Sequence, residues 1–308
     1  MSARLILPPD APREEWLAAR RQGVTASEIA VILGISPYDS PFNLFHKKTG
    51  TIPEDFDNDA MSLGRHLEPW IADRWAADHP GWFVAPGGLW TNSDRPWQMA
   101  TTDRDLFRMD ETTLGVPHSV LEIKSSGTYD GWGEDGTDEI PPYYRAQVLW
   151  QLDTLGLTEA HVTCWFKHTD QRRDYVIKFD EADVDLMRCE AHAFLEAVEH
   201  GDPPPVDASA ATGHALMALW PDVEDREATI PAGLTRQYEA AKKAAAKAKE
   251  RVKRTENEIR ARIGDAKTVL DPAGRKVATR QKYQVREHVR AAYTVDKLVP
   301  PRAKKEAS

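Results

Sequence analysis

Cysteine is nearly absent from this chain of 308 residues: Cys164 and Cys189 are the two it has. Two thiols are too few for a zinc cage or an iron–sulfur cluster, and they read as reduced, half-buried residues of a cytoplasmic protein. No run of 18 apolar residues occurs, so no membrane-spanning helix and no membrane partner are expected. A secretory pattern is missing as well, since Met1-Ser2-Ala3-Arg4 leads into Pro8-Pro9. There is no internal repeat. The net charge of −9 has the wrong sign for a typical nucleic-acid binder.

What is present qualifies that last exclusion. Residues 242–262 hold nine Lys or Arg against three acids, so the acidic excess lies in the first two thirds of the chain. A hydrophobic content of 41% is enough for one full core with length left for an appendage. The ten tryptophans are scattered and read as core and rim packing.

The first third has helical spacing. Pro12 opens a helix that closes before Gly23, and Thr25-Ala26-Ser27-Glu28 is a capping box starting a second that ends at Gly34. A third lies between Ser40-Pro41 and Gly50. A fourth, from about Asp59 to Asp78, is expected to kink at Pro69. Then the period changes. Residues 81–84 and 88–91 read as a hairpin and 97–103 as a strand; 106–109 and 118–124 form the next pair, joined by a polar turn at 110–113. An amphipathic helix follows from Ile140-Pro141-Pro142 to Gly156, then strands at 160–166 and 174–179 and a helix at 181–199. This order makes an α/β (α+β) fold with a central mixed sheet flanked by helices. Asp202-Pro203-Pro204-Pro205-Val206-Asp207 marks a boundary. The expected organisation is a core over residues 1–200, a Pro-rich linker over 201–233, and a basic helical extension over 234–308 with a hairpin near 271–274 and a charged tail.

Chemistry concentrates in Val120-Leu121-Glu122-Ile123-Lys124-Ser125-Ser126. In a strand Glu122 and Lys124 share one face while Leu121 and Ile123 take the other. An acid and a lysine so placed can hold a cation and face a phosphate. Composition supplies roughly one chance Glu-x-Lys in a chain of this length, so the pair alone proves little. A nuclease site needs another carboxylate, and Asp103 can meet Glu122 across a hairpin; Asp105 is its rival, and either can be a turn former. These oxygens with the Ile123 carbonyl suit Mg²⁺ or Mn²⁺ rather than Zn²⁺. Glu68 precedes Pro69 on a helix, where a solvated acid is the commoner reading. Gln147 and Gln151 lie one turn apart, a spacing also found on exposed helix faces. At the capped helix start, free N–H groups, the Ser27 hydroxyl and the Arg20 guanidinium can bind a phosphate, or simply cap and solvate.

Five stretches together carry a resemblance: Trp16 to Glu28, Gly64-Arg65-His66-Leu67-Glu68-Pro69, Ala100-Thr101-Thr102-Asp103, Leu121-Glu122-Ile123-Lys124, and Tyr143 to Leu152. In this order they resemble the lambda exonuclease / YqaJ-type viral recombinase nucleases of the PD-(D/E)xK superfamily. The resemblance covers about residues 12–200 and implies a restriction-endonuclease-like core. It implies that Asp103, Glu122 and the Ile123 carbonyl ligate Mg²⁺, with Mn²⁺ an alternative, and that Lys124 activates water or steadies the phosphate. Glu68 would support a metal or its water, and Gln147 would sit by the metal-bound water. Arg20 and Ser27 would receive a terminal 5′-phosphate. The family's commoner Ser-Pro-Asp-Gly is replaced by Thr101-Thr102-Asp103-Arg104, which leaves Asp103 against Asp105 open.

What the resemblance implies is a 5′→3′ exonuclease on duplex DNA ends that leaves 3′ overhangs. It also implies a single-strand annealing protein as partner, a ring-shaped homotrimer, and a phage or prophage origin in a bacterial cytoplasm. Two other functions fit the same residues: an endonuclease on this fold, and a non-catalytic DNA-end-binding scaffold in which Glu122 and Lys124 are a plain ion pair.

Overall fold

The computed structural model describes residues 3–53, 59–109 and 115–282. Strand β1 (Ala3–Leu7) precedes helices α1 (Arg13–Arg20), α2 (Ala26–Ile32), α3 (Pro41–Lys48) and α4 (Asp59–Asp78). Strands β2 (Trp82–Pro86), β3 (Leu89–Asn92), β4 (Met99–Thr101), β5 (Arg104–Arg108) and β6 (Ser119–Ser126) follow. Helix α5 (Pro142–Leu155), strands β7 (Glu159–Phe166) and β8 (Gln171–Lys178), and helices α6 (Glu181–His200) and α7 (Ala210–Leu219) complete a first unit, residues 1–221. The second unit, residues 222–308, contains α8 (Ala232–Ile263) and the antiparallel pair β9 (Thr268–Leu270) and β10 (Lys276–Thr279).

The main sheet has the order β2-β5-β6-β7-β8. All neighbours are antiparallel except β6 and β7, which are parallel. Parallel neighbours need a crossover, and α5 supplies it. The sheet is therefore mixed and flanked by helices, the α+β arrangement expected from the order of elements.

Strand β6 divides its side chains as an alternating strand must. Leu121 and Ile123 pack with Leu106 against Ile71, Ala72 and Trp75 of α4. On the other side, Val120 joins a larger core with Val148, Leu149, Trp150 and Leu152 of α5. Glu122 shares that second side. The strand thus carries one acid into a largely apolar layer, where Gln147 and Gln151 of α5 meet it.

Several expectations need correction. Residues 81–91 are not one hairpin: β2 pairs with β5, whereas β3 pairs with β1 and β4 in a separate three-stranded sheet. The chain steps between sheets at Gly87-Gly88, where a Cβ on Gly87 would stand 2.1 Å from the Thr102 carbonyl oxygen. The expected strand 97–103 also divides, and Thr102-Asp103 forms the second step between β4 and β5. β1 went unforeseen because Pro8-Pro9 masks a strand held by pairing rather than by pattern. α4 has the expected bounds, Asp59–Asp78, with Pro69 inside it. Cys164 is buried but Cys189 is exposed rather than half-buried.

The stretch 201–233 is more than a linker. Within it α7 is capped by Ser209, whose Oγ accepts from the Thr212 amide at 3.1 Å. Thr212 Oγ1 lies 2.8 Å from Ser40 Oγ at the start of α3, and Ala215 packs with Phe42 and Ile52. Burial of this short apolar face, spaced three to four residues apart, holds the helix to the core. In the second unit α8 has no buried residue. The polar turn at 110–113 and most of the charged tail lie outside the described residues. No described helix is long and apolar enough to cross a membrane.

Candidate active site

Arg104 pairs with Leu121 in the β5–β6 ladder, so Asp103, one residue earlier, stands across from Glu122. Asp103 Oδ2 accepts from the Ile123 amide at 2.7 Å. Glu122 is 1% exposed. Its Oε1 accepts from Lys124 Nζ and from Gln147 Nε2, the latter at 2.6 Å, and its Oε2 accepts from Gln151 Nε2 at 2.6 Å. Gln147 and Gln151 are one turn apart on α5, and both face the same carboxylate. From α4, Glu68 Oε1 accepts from Arg104 Nη1 at 2.6 Å, and the same nitrogen donates to the Asp103 carbonyl at 2.5 Å. The fold brings Glu68, Asp103, Glu122, Lys124 and Gln147 to one place.

Burial first, then the neighbouring Glu122 carboxylate, pushes Asp103 up to about 8, against the pull of Lys124. Desolvation works to lower Lys124, but Glu122 and Asp103 outweigh it and hold its ammonium above the usual range. Two buried carboxylates side by side are a poor arrangement by themselves and a good one around a divalent cation. Among the described residues no group of three His, Cys, Asp or Glu surrounds a common point. The oxygens that could hold a cation are fewer: those of Asp103, Glu122 and the Ile123 carbonyl. That suits a hard ion such as Mg²⁺, which keeps several waters.

Asp105 has other duties. Its carboxylate accepts from Thr102 Oγ1 at 2.7 Å and from Trp90 Nε1 at 3.1 Å, bracing the step between the two sheets. Burial pushes it up to about 6. Arg104, the departure from the family's small residue, is the side chain that ties Glu68 to this corner.

The N-terminal residues meet as well. Arg20 Nη2 lies 3.3 Å from Ser27 Oγ and 3.4 Å from Glu28 Oε1. Glu28 also closes the capping box, accepting the Thr25 amide at 2.9 Å, and accepts from Lys48 Nζ at 2.8 Å. Burial opposes ionisation of Glu28, but Lys48 and Arg20 outweigh it and keep the carboxyl below its usual range. Two cations on one acid leave positive charge over a helix N-terminus. This segment is stitched to the strand leading into Asp103: Val24 N donates to the Trp97 carbonyl at 2.7 Å, and Met99 N to the Val24 carbonyl at 2.9 Å. A Cβ on Gly23 would stand 2.1 Å from the Trp97 carbonyl oxygen, so this approach requires glycine.

Sequence reasoning did not select Gln151, Lys48 or Arg104. The four-residue spacing of Gln147 and Gln151 was the available signal for the first. Nothing local marks Lys48 or Arg104, whose partners are 20 and 36 residues away in the chain.

Residues 15–161 match the YqaJ-like viral recombinase domain. The chain is 25% identical over 265 residues to an uncharacterized protein YqaJ of Bacillus subtilis (strain 168), covering 82% of this chain and 79% of that protein. Among solved structures it is similar to LHK-Exo in complex with dAMP, with a TM-score of 0.49, 23% identity, and coverage of 61% of this chain and 94% of that one. LHK-Exo, an alkaline exonuclease from Laribacter hongkongensis, gives a TM-score of 0.47 in a second structure, at the same identity and coverage.

Proposed function

We propose that this chain, whose residues 15–161 match the YqaJ-like viral recombinase domain, is a metal-dependent DNA exonuclease of the phage recombination type. It hydrolyses the 5′-ended strand of duplex DNA and leaves 3′ overhangs. The observation that carries this reading is the meeting of Asp103, Glu122 and Lys124 at the step between two sheets, with a cationic capped helix start stitched to the same strand.

Asp103, Glu122 and the Ile123 carbonyl would hold Mg²⁺, or Mn²⁺ in its place. When bound, the ion supplies an activated water and Lewis-acid stabilisation of the phosphate oxygens. Gln147 and Gln151 fix the Glu122 carboxylate by one hydrogen bond to each oxygen. Lys124 places a positive charge where the attacked phosphate gains negative charge. Glu68, anchored by Arg104, would support the metal or its water. Arg20 and Ser27 receive the terminal 5′-phosphate, which gives the enzyme its polarity. Duplex ends are the substrate, a single-strand annealing protein is the partner for the 3′ overhang, a homotrimeric ring is the assembly, and the bacterial cytoplasm is the site of action. The acidic net charge is compatible with DNA binding if the channel itself is basic.

The test is nucleotide release from a linear 5′-phosphorylated duplex in Mg²⁺, comparing the native chain with Glu122→Ala and Lys124→Ala. The native chain releases mononucleotides and both variants lose the activity. Equal release by all three removes the proposed site. Cutting of a covalently closed circle makes the protein an endonuclease instead.

A further inference from the structure

The loop that leaves α2, residues 34–40, holds one aromatic ring out to solvent. Tyr38 is 69% exposed, an uncommon placement for a large ring that gains by burial. Slack in the loop does not explain it. The Tyr38 amide donates to Ser36 Oγ at 3.2 Å. Next to it, the Asp39 carboxylate accepts from the Ser40 amide at 2.8 Å, Asn43 Nδ2 at 2.6 Å and Lys47 Nζ at 2.7 Å.

The ring also has a built base. The Tyr38 hydroxyl lies 3.3 Å from the Tyr144 hydroxyl, and its ring meets Tyr143 edge-on at 5.7 Å between centroids. Tyr143 and Tyr144 are themselves 4.4 Å apart and pack on the main core. Lys124 Nζ lies 4.9 Å over the Tyr144 ring. One side chain therefore separates the exposed ring from the cation assigned to the scissile phosphate.

A cation for a phosphate beside a fixed, exposed aromatic ring is the pairing that recognises a nucleotide. Every base has a π-face, so stacking tolerates any sequence, as an enzyme that consumes a strand end must. We propose that Tyr38 is a stacking platform for a nucleobase adjoining the scissile phosphate, resting on Tyr143 and Tyr144. The inference rests on the nuclease reading above and adds a subsite to it.

The test uses the full chain with Tyr38→Ala, Tyr38→Phe and Tyr38→Trp. The substrates are 5′-phosphorylated duplexes, intact or with an abasic residue at the first or second nucleotide of the 5′ strand. Tyr38→Ala raises KM about 10-fold on intact DNA, whereas Phe or Trp at this position restores it. On one of the two abasic substrates the difference between native chain and Tyr38→Ala disappears. In chelator, 2-aminopurine at that same position is quenched by the native chain and by Tyr38→Phe, but not by Tyr38→Ala. Equal slowing of Tyr38→Ala on intact and both abasic DNAs overturns the proposal, as does unchanged quenching. Absence of hydrolysis by the native chain, with 2-aminopurine still quenched through Tyr38, sinks the nuclease reading and leaves the platform standing.

Discussion

The Asp103 carboxylate accepts the backbone amide of Ile123 at 2.7 Å, across the β5–β6 pair. This bond locks one acid against the peptide that follows the other acid, Glu122. Asp105, two residues along, instead accepts from Thr102 and Trp90. Asp103→Asn should therefore cut turnover by 100-fold or more, whereas Asp105→Asn should keep it, since an amide can accept from Trp90 and donate to Thr102. Single-turnover hydrolysis of a linear duplex by the two variants is the measurement. Loss of activity in Asp105→Asn alone would exchange the two roles.

Metal dependence should be visible both in hydrolysis and, without any substrate, in stability. Chelation should abolish hydrolysis, and Mg²⁺ or Mn²⁺ should restore it. Mg²⁺ at about 100 times its Kd should add about 2.7 kcal/mol of stability to the native chain, and little to Glu122→Gln. Thermal melts with and without the ion read this directly.

The Arg20–Ser27 contact makes a claim about DNA ends. Removing the 5′-phosphate from the duplex should slow the native chain about 10-fold, the size of a charge-assisted hydrogen bond. Arg20→Ala should be slow on both substrates and nearly indifferent to the phosphate. If dephosphorylation slows both proteins equally, the pocket lies elsewhere.

Two buried carboxyls outside the proposed ligand set should set opposite pH trends in stability. Burial opposes ionisation of Asp153, but hydrogen bonds from Arg188 and Gln98 and the charge of Arg95 prevail and lower its pKa below 3.8. Its contribution is present above pH 3.8 and is lost as pH falls through the lower folded value. Asp105 is raised to about 6 mainly by burial; its contribution is complete below 3.8 and is lost as pH rises through about 6. Denaturant melts should show Asp153→Asn flattening the acid limb, and Asp105→Asn removing the decline between pH 4 and 6. Asp153→Ala should cost about 3–5 kcal/mol, because Arg95 and Arg188 lose their buried partner.

The fold class and most helices were legible because they depend on short-range periodicity and caps. Thr25 and Glu28 do form their capping box, and Leu121 and Ile123 do face away from Glu122. Pairing was harder to read. Residues 82–86 and 89–92 look like the arms of one hairpin yet belong to different sheets, since strand partners are chosen by long-range packing that local pattern does not encode.

Residue type, together with the resemblance of five ordered stretches to a nuclease family, was enough to mark Arg20, Ser27, Glu68, Asp103, Glu122, Lys124 and Gln147 as candidates, because acids, a lysine and a capped helix start carry their chemistry locally. Their environment came from elsewhere. The break between β4 and β5 aims Asp103 at Ile123 and turns Asp105 inward, and the packing of α5 on β6 brings Gln151 to Glu122. Burial by distant segments sets the pKa of Asp103, and the pinned loop after α2 puts Tyr38 beside Tyr144. Electrostatics and exposure depend on everything within a few ångströms in space, and in this chain the neighbours named here are 20 to 106 residues away in sequence.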